Sequence, residues 1–253
     1  MKKEPVFIAF CNQKGGVGKT TFSVLTASYL SYVKGLSVAV VDCDFPQCSI
    51  VQMRQRDMEQ VGRNDYYKRL AYLQFQEGGK RAYPVISTSP EKVSEEVNRL
   101  LEKDEREFDV ILFDLPGTVN SAGILSCISM LDYLFVPIIA DRVVIESSLH
   151  FAVQVKERLI SNITCNLHGL YLFWNKVDKR EKTELYEKTN TAIKQLNLEL
   201  LTSTVPDTKK YNKELSEERN NLFRSTLFAP ENRYLKGSGL DQLVEEVCQC
   251  INL

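Results

Sequence analysis

Apolar residues fill nearly every position of the stretches 6–10, 36–41, 110–113, 133–139 and 167–174, and each stretch ends in polar or turn-forming residues. Strands covered on both faces in a parallel sheet read this way, whereas a one-sided sheet alternates. Between them the spacing turns helical over 22–33 and 145–159. It is helical again over 238–253, where Leu240, Leu243, Val244, Val247 and Ile251 form a core-facing stripe. A shorter strand is expected at 83–87, and Ser89-Pro90-Glu91 reads as a helix start. Ser49-Ile50-Val51-Gln52 reads as a capping box opening a helix that runs toward Phe75 and closes at Gly78-Gly79. This alternation predicts an α/β fold, a doubly wound, mostly parallel sheet of seven or eight strands with helices on both faces. No composition shift marks a linker, so a single domain over 1–253 is expected.

The junction of the first strand and first helix carries the chemistry, in Asn12-Gln13-Lys14-Gly15-Gly16-Val17-Gly18-Lys19-Thr20-Thr21. Glycines at 15, 16 and 18 let the backbone curl until several N–H groups converge on one anion, and the helix opening at Lys19 adds its positive dipole end. Lys19 would reach the β- and γ-phosphates of a nucleotide, and Thr20 would give its hydroxyl to Mg²⁺. An ordinary P-loop has glycine where Gln13 stands. The run Lys14-Gly15-Gly16-Val17-Gly18-Lys19-Thr20 instead resembles the deviant Walker A motif of the ParA/MinD/Soj ATPases. That resemblance implies a P-loop NTPase fold, ATP and Mg²⁺ as ligands, nucleotide contacts from Gly15 through Thr21, and a catalytic Lys14 that reaches the nucleotide of a partner subunit. It therefore implies an ATP-dependent homodimer.

Two further segments fit the same family. Asp42-Cys43-Asp44-Phe45-Pro46-Gln47 ends the second strand, and carboxylates at the carboxyl end of a parallel strand sit where open α/β sheets bind ligands. The resemblance assigns Asp44 to the attacking water and the magnesium shell; helix capping by the two carboxylates is the other reading. The strand ending at Asp114, followed by Leu115-Pro116-Gly117, looks like a Walker B strand and its switch loop. Asp114 would hold a magnesium-bound water and Gly117 would approach the γ-phosphate.

Asn175-Lys176-Val177-Asp178 matches the motif by which many GTPases read guanine, while the family resemblance implies that Asn175 contacts adenine. Asp178 also reads as a helix cap with Glu181 three residues on. In Thr204-Val205-Pro206-Asp207, Pro206 and Asp207 correspond to the far wall of the base pocket. Beyond it, Lys209, Lys210, Lys213, Arg219 and Arg224 alternate with Glu214, Glu217 and Glu218. The resemblance implies that these cations face DNA; a solvated helix face is the alternative.

Composition adjusts this picture in three ways. A net charge of −1 gives no global field for nucleic acid, so DNA binding must come from a local patch. Neither a signal peptide nor an apolar run of membrane-spanning length is present, which predicts a cytoplasmic protein with no membrane partner. Of seven cysteines only Cys248 and Cys250 form a close pair, and one intervening residue in a helix would point their thiols apart. Residues 53–82, mildly basic and rich in tyrosine, have no counterpart in the resemblance. Asp42 to Gln47 and Phe223-Arg224-Ser225-Thr226-Leu227-Phe228 look most like ParA-type proteins of conjugative transposons. The expected function is a DNA-partitioning or positioning ATPase whose hydrolysis a ParB-like or other partner triggers. A MinD-like localising ATPase without DNA binding, a GTPase and a metal-cluster carrier are the alternatives.

Overall fold

The computed structural model describes residues 4–117, 122–160, 165–178, 180, 183–217 and 220–253. Among these residues seven strands form one sheet: β1 (Val6–Phe10), β2 (Val38–Asp42), β3 (Val85–Ser87), β4 (Val110–Asp114), β5 (Tyr133–Ile138), β6 (Gly169–Val177) and β7 (Glu199–Pro206). Their order is β3-β2-β4-β1-β5-β6-β7, and every pair is parallel. The helices are α1 (Lys19–Tyr32), α2 (Ser49–Arg63), α3 (Asp65–Ala71), α4 (Val93–Lys103), α5 (Ala122–Met130), α6 (Arg142–Val155), α7 (Thr183–Gln195), α8 (Asn232–Leu235) and α9 (Leu240–Cys250). None among the described residues is long and apolar enough to cross a membrane.

Successive side chains of the central strands feed two separate cores. Ile111 and Phe113 of β4 join a cluster completed by Val93 and Val97 of α4, Ile128 of α5, Phe151 of α6 and Ile193 of α7. Val110 and Leu112 point the other way, into a cluster with Phe22 and Leu25 of α1 and Leu240, Leu243, Val244 and Val247 of α9. Every residue of β2 and β4 is buried, as uniformly apolar runs require. Cys248 also packs into the second core.

Several boundaries differ from the pattern-based expectation, each for a local reason. The second strand begins at Val38, because Leu36 donates its amide to Leu30 to finish α1 and Ser37 is tied to Asp109. The expected single helix from Ser49 toward Phe75 is broken at Asn64, whose extended backbone ends α2 and whose side chain caps α3 by accepting from the Tyr66 amide at 2.9 Å. A π-helical turn over Tyr72–Glu77 completes the segment. The capping box is absent: Cys48, at φ 44°, precedes α2 without a side-chain cap bond. Ser89 likewise makes no cap bond, and a 3₁₀ turn over Pro90–Lys92 leads into α4.

A third, smaller cluster lies outside the main cores. Tyr67 of α3 packs with Leu215, Leu222, Leu227 and Phe228. Hence the segment after β7 lies against the α2–α3 region rather than extending into solvent.

Candidate functional site

Because all strands run the same way, the carboxyl ends of β1, β2, β4 and β6 gather their loops on one edge. A cavity of about 370 Å³ opens there, lined by Gly16, Gly18, Lys19, Thr20, Thr21, Phe22, Asp44, Gly117, Asn175, Lys176, Pro206 and Asp207, and by Thr208, Tyr211 and Asn212 of the segment that follows β7. The structure thus brings together most of the residues singled out from the sequence. Lys14, Gly15, Val17 and Asp114 belong to the same loops without lining the cavity wall.

The loop's shape depends on backbone that only glycine adopts readily. Gly16 has φ 73° and Gly18 φ 100°. A Cβ at Gly18 would lie 2.9 Å from the Phe22 ring and 3.0 Å from Asn175 Nδ2, so any side chain here would displace the loop. Gly18 caps α1 without a side-chain bond, leaving the first-turn N–H groups open to an anion. Lys19 Nζ donates to the Lys14 carbonyl at 3.2 Å, and a Cβ at Gly117 would come within 3.3 Å of it.

Three side chains that the sequence did not mark as braces hold this loop. Buried Asn12 donates to Pro137 O and Ser148 Oγ, each at 2.8 Å, and its Oδ1 accepts from the Lys14 amide at 3.0 Å. Asn175 Nδ2 donates to Val17 O at 2.8 Å, and Lys176 Nζ donates to Gly16 O at 2.9 Å. Asn175 is therefore a strut between β6 and the loop. It lies where β6 and β7 shift register, between Trp174 and Val177.

The carboxylates divide their roles. Asp42 Oδ2 accepts from the amides of Ile50 and Val51, at 2.8 and 3.1 Å, so the helix-capping reading holds for Asp42. Asp44 lines the cavity beside Phe45, which is 62 % exposed. Asp114 is fully buried; its Oδ1 accepts from Ser23 Oγ at 3.2 Å, and its Oδ2 has no hydrogen-bond partner. Burial pushes its pKa up to about 7, a hydrogen bond from Thr20 pulls the other way, and the negative charges of Asp42 and Asp44 push it further up. A buried carboxylate oxygen without a donor, next to the Thr20 hydroxyl, fits a hard divalent cation.

Elsewhere the placement differs from the sequence-based expectation. Asp178 does not line the cavity and instead accepts from Arg180 Nε and Nη2, at 3.0 and 2.7 Å. Those hydrogen bonds hold its carboxyl down at about 2. Glu181 lies outside the described residues. Among the expected DNA-facing cations, Lys209 is exposed, Lys210 Nζ donates to Lys236 O at 2.5 Å, and Lys213 lies 5.4 Å from the centre of the Tyr234 ring. Arg219 lies outside the described residues. Arg224 turns inward, bonded to Thr21 and Glu214, because the chain doubles back at Lys213.

Residues 8–222 match the CobQ/CobB/MinD/ParA nucleotide binding domain. The chain belongs to that family. A segment of 42 residues is 62 % identical to the uncharacterized protein BBD21 of Borreliella burgdorferi, covering 17 % of this chain and 16 % of that protein. Solved structures share the fold along the whole length. ParA of pNOB8, bound to nonspecific DNA, matches with a TM-score of 0.63 at 16 % identity over 98 % of this chain and 99 % of that one. A Borrelia burgdorferi B31 protein described as a plasmid partition protein, bound to AMPPNP, gives 0.61 at 19 % identity over 98 % and 99 %. MinD of Aquifex aeolicus gives 0.61 at 15 % identity over 99 % and 98 %.

Proposed function

We propose that this family member is a Mg²⁺-dependent ATPase, acting as one domain, that dimerises on ATP, binds DNA without sequence preference in that state, and is reset by hydrolysis that a partner protein stimulates. The partnerless Oδ2 of Asp114, buried next to Thr20 at the mouth of an anion-binding loop, carries the nucleotide and metal reading. Thr20, Asp44 and Asp114 would hold Mg²⁺, which supplies charge neutralisation for the phosphates. The loop amides and Lys19 bind the β- and γ-phosphates, Asn175, Pro206 and Asp207 receive the base, and Asp44 orients the attacking water. Lys14, outside its own cavity wall, would act on the nucleotide of the second subunit. Cations supplied in trans are worth about 10³–10⁵ in phosphoryl-transfer rate, so a monomer should be nearly inert.

The position of Asp178 outside the cavity lining favours adenine over guanine, since that carboxylate is the group a guanine reader needs at the base. Exposed Lys209, with Lys210, Lys213 and Arg219, is the DNA surface we infer; a ParB-like activator and a conjugative-element setting rest on the sequence resemblance. Sizing the chain with ATP, ADP and no nucleotide, using Asp44→Ala to trap the ATP form, is the test. Dimers with ATP alone, retained on DNA at low salt and released as salt rises, are expected. Dimers that ignore DNA would favour the MinD-like reading, and GTP outcompeting ATP with loss of that preference in Asp178→Ala would favour a GTPase.

A further inference from the structure

After β7 the chain turns at Lys213 and returns, and the Arg224 amide closes the neck by donating to the Lys213 carbonyl at 2.9 Å. From this neck the Arg224 side chain runs to the first turn of α1. Nη1 donates to Thr21 Oγ1 at 2.9 Å, and Nη2 donates to Glu214 Oε1 at 2.5 Å. Arg56 of α2 approaches the other oxygen of Glu214 at 3.6 Å. Only 20 % of the Arg224 side chain is exposed, and its buried Nε has no partner. The guanidinium is thus held out of bulk solvent, where screening weakens its field less than at an exposed site.

Thr21 lines the same cavity as Lys19 and Thr20. A hydroxyl has one proton to give and two lone pairs to accept with. Arg224 occupies a lone pair, and no acceptor among the described residues takes the proton, which leaves it for whatever enters the cavity. Lys19 and Thr20 serve the terminal phosphates. Thr21 lines the same cavity one residue further along the chain, where the next phosphate of the nucleotide follows, and its neighbour Phe22 meets the Tyr211 ring edge-on at 5.9 Å.

We propose that Arg224 is a positioning residue for the nucleotide: held by Glu214, it fixes the Thr21 hydroxyl as a hydrogen-bond donor to the α-phosphate. This rests on the nucleotide reading given above. It moves Arg224 from a DNA-facing surface to a place behind the Thr21 wall of the nucleotide site, while Lys209 stays exposed.

Calorimetric titration of the full chain with AMP, ADP and AMPPNP in Mg²⁺ separates the roles. Loss of a hydrogen bond to a charged group should weaken binding roughly ten- to a hundredfold. The α-phosphate is common to all three nucleotides, so Arg224→Gln should weaken all three by a similar factor. Thr21→Val should do the same, and the double variant should be no weaker than either single one, because both remove one chain of contacts. Arg224→Lys should recover part of the loss. Unchanged affinities in Arg224→Gln, additive losses in the double variant, or a loss confined to AMPPNP would overturn the proposal. Should Arg224→Gln fail to fold, Thr21→Val decides alone, since it leaves the Arg224–Glu214 pair in place: unchanged AMP and ADP affinity overturns the proposal. A wild-type chain that binds none of the three would instead remove the nucleotide reading, and this role with it.

Discussion

The phosphate loop and the layer formed by α2, α3, residues 213–217 and residues 220–228 differ in what gives them their shape. In the loop, short-range backbone geometry sets the curl, with two glycines at positive φ, an uncapped helix start and one buried amide brace within about ten residues of sequence, and Asn175 and Lys176 then fasten it to β6. The other layer is assembled from side chains about 170 positions apart. Asp57, 2 % exposed, accepts from Ser225 Oγ, Thr226 N and Thr226 Oγ1 at 2.7–3.1 Å. Arg54 donates to Thr226 Oγ1 and O and to Tyr83 O, with its guanidinium 4.9 Å from the centre of the Tyr83 ring. Ser28 and Tyr32 of α1 donate to the carbonyls of Ser225 and Thr226. The first region binds ligand at small cost to the fold; the second is part of the fold itself.

Removing one side chain from each region should therefore give opposite outcomes. Lys19→Ala is expected to abolish nucleotide binding in a titration while leaving the midpoint of urea unfolding of the ligand-free protein nearly unchanged, because Lys19 Nζ makes one hydrogen bond within the chain. Asp57→Ala should reverse this pattern. It strands buried donors and deprives Arg54 of a nearby negative charge, so a loss of about 3 kcal/mol in urea unfolding is expected, with the folded fraction still retained on immobilised ATP. A drop of that size in Lys19→Ala, or none in Asp57→Ala, would erase the distinction.

The smallest effect is one of pH. Burial raises Asp114 from its ordinary 3.8 to about 7, so the folded protein keeps a proton that the unfolded chain releases. Fewer protons bound on unfolding means that this group makes stability fall as pH rises from 3.8 toward about 7. Ligand-free protein should show that slope in chemical denaturation across the window, and Asp114→Asn should flatten it. Persistence of the whole slope in the variant would assign it to Asp42 or Asp57, whose carboxyls burial also raises.

The same division explains what could be read in advance. Six of the seven strands show in the sequence: β1, β2, β4, β5 and β6 because most of their residues on both faces are buried, and short β3 through its apolar Val85 and Ile86. β7 does not, since it is an edge strand with Glu199, Thr202 and Thr204 exposed, and its weak pattern left only the end at Pro206 and Asp207 recognisable, through the resemblance. The cavity residues Gly16, Gly18, Lys19, Thr20 and Thr21, with Asp44, Gly117 and Asn175, are legible because local backbone geometry and strand ends dictate them. Arg224 is not, because nothing near it in sequence says that it pairs with Thr21, and its interleaving with lysines and glutamates reads as a surface. Asp42 carries a similar ambiguity: sequence places two carboxylates at the end of β2, and only the partners at Ile50 and Val51 show which one faces inward to the helix.

The cap made by Asp42 has a consequence for how this chain tolerates change in length. Asp42 fixes the start of α2 at Ile50, and Asp57 fastens the same helix to Ser225 and Thr226, seven residues and roughly 10 Å further along. Between these two fastenings α2 acts as a gauge of set length and set rotation. Exchanging one side chain for another leaves the gauge intact, but inserting or deleting a single residue turns Asp57 by about 100° and carries it off the hydroxyls it holds. Residues 51–56 are thus free in identity wherever they face solvent, yet fixed in number.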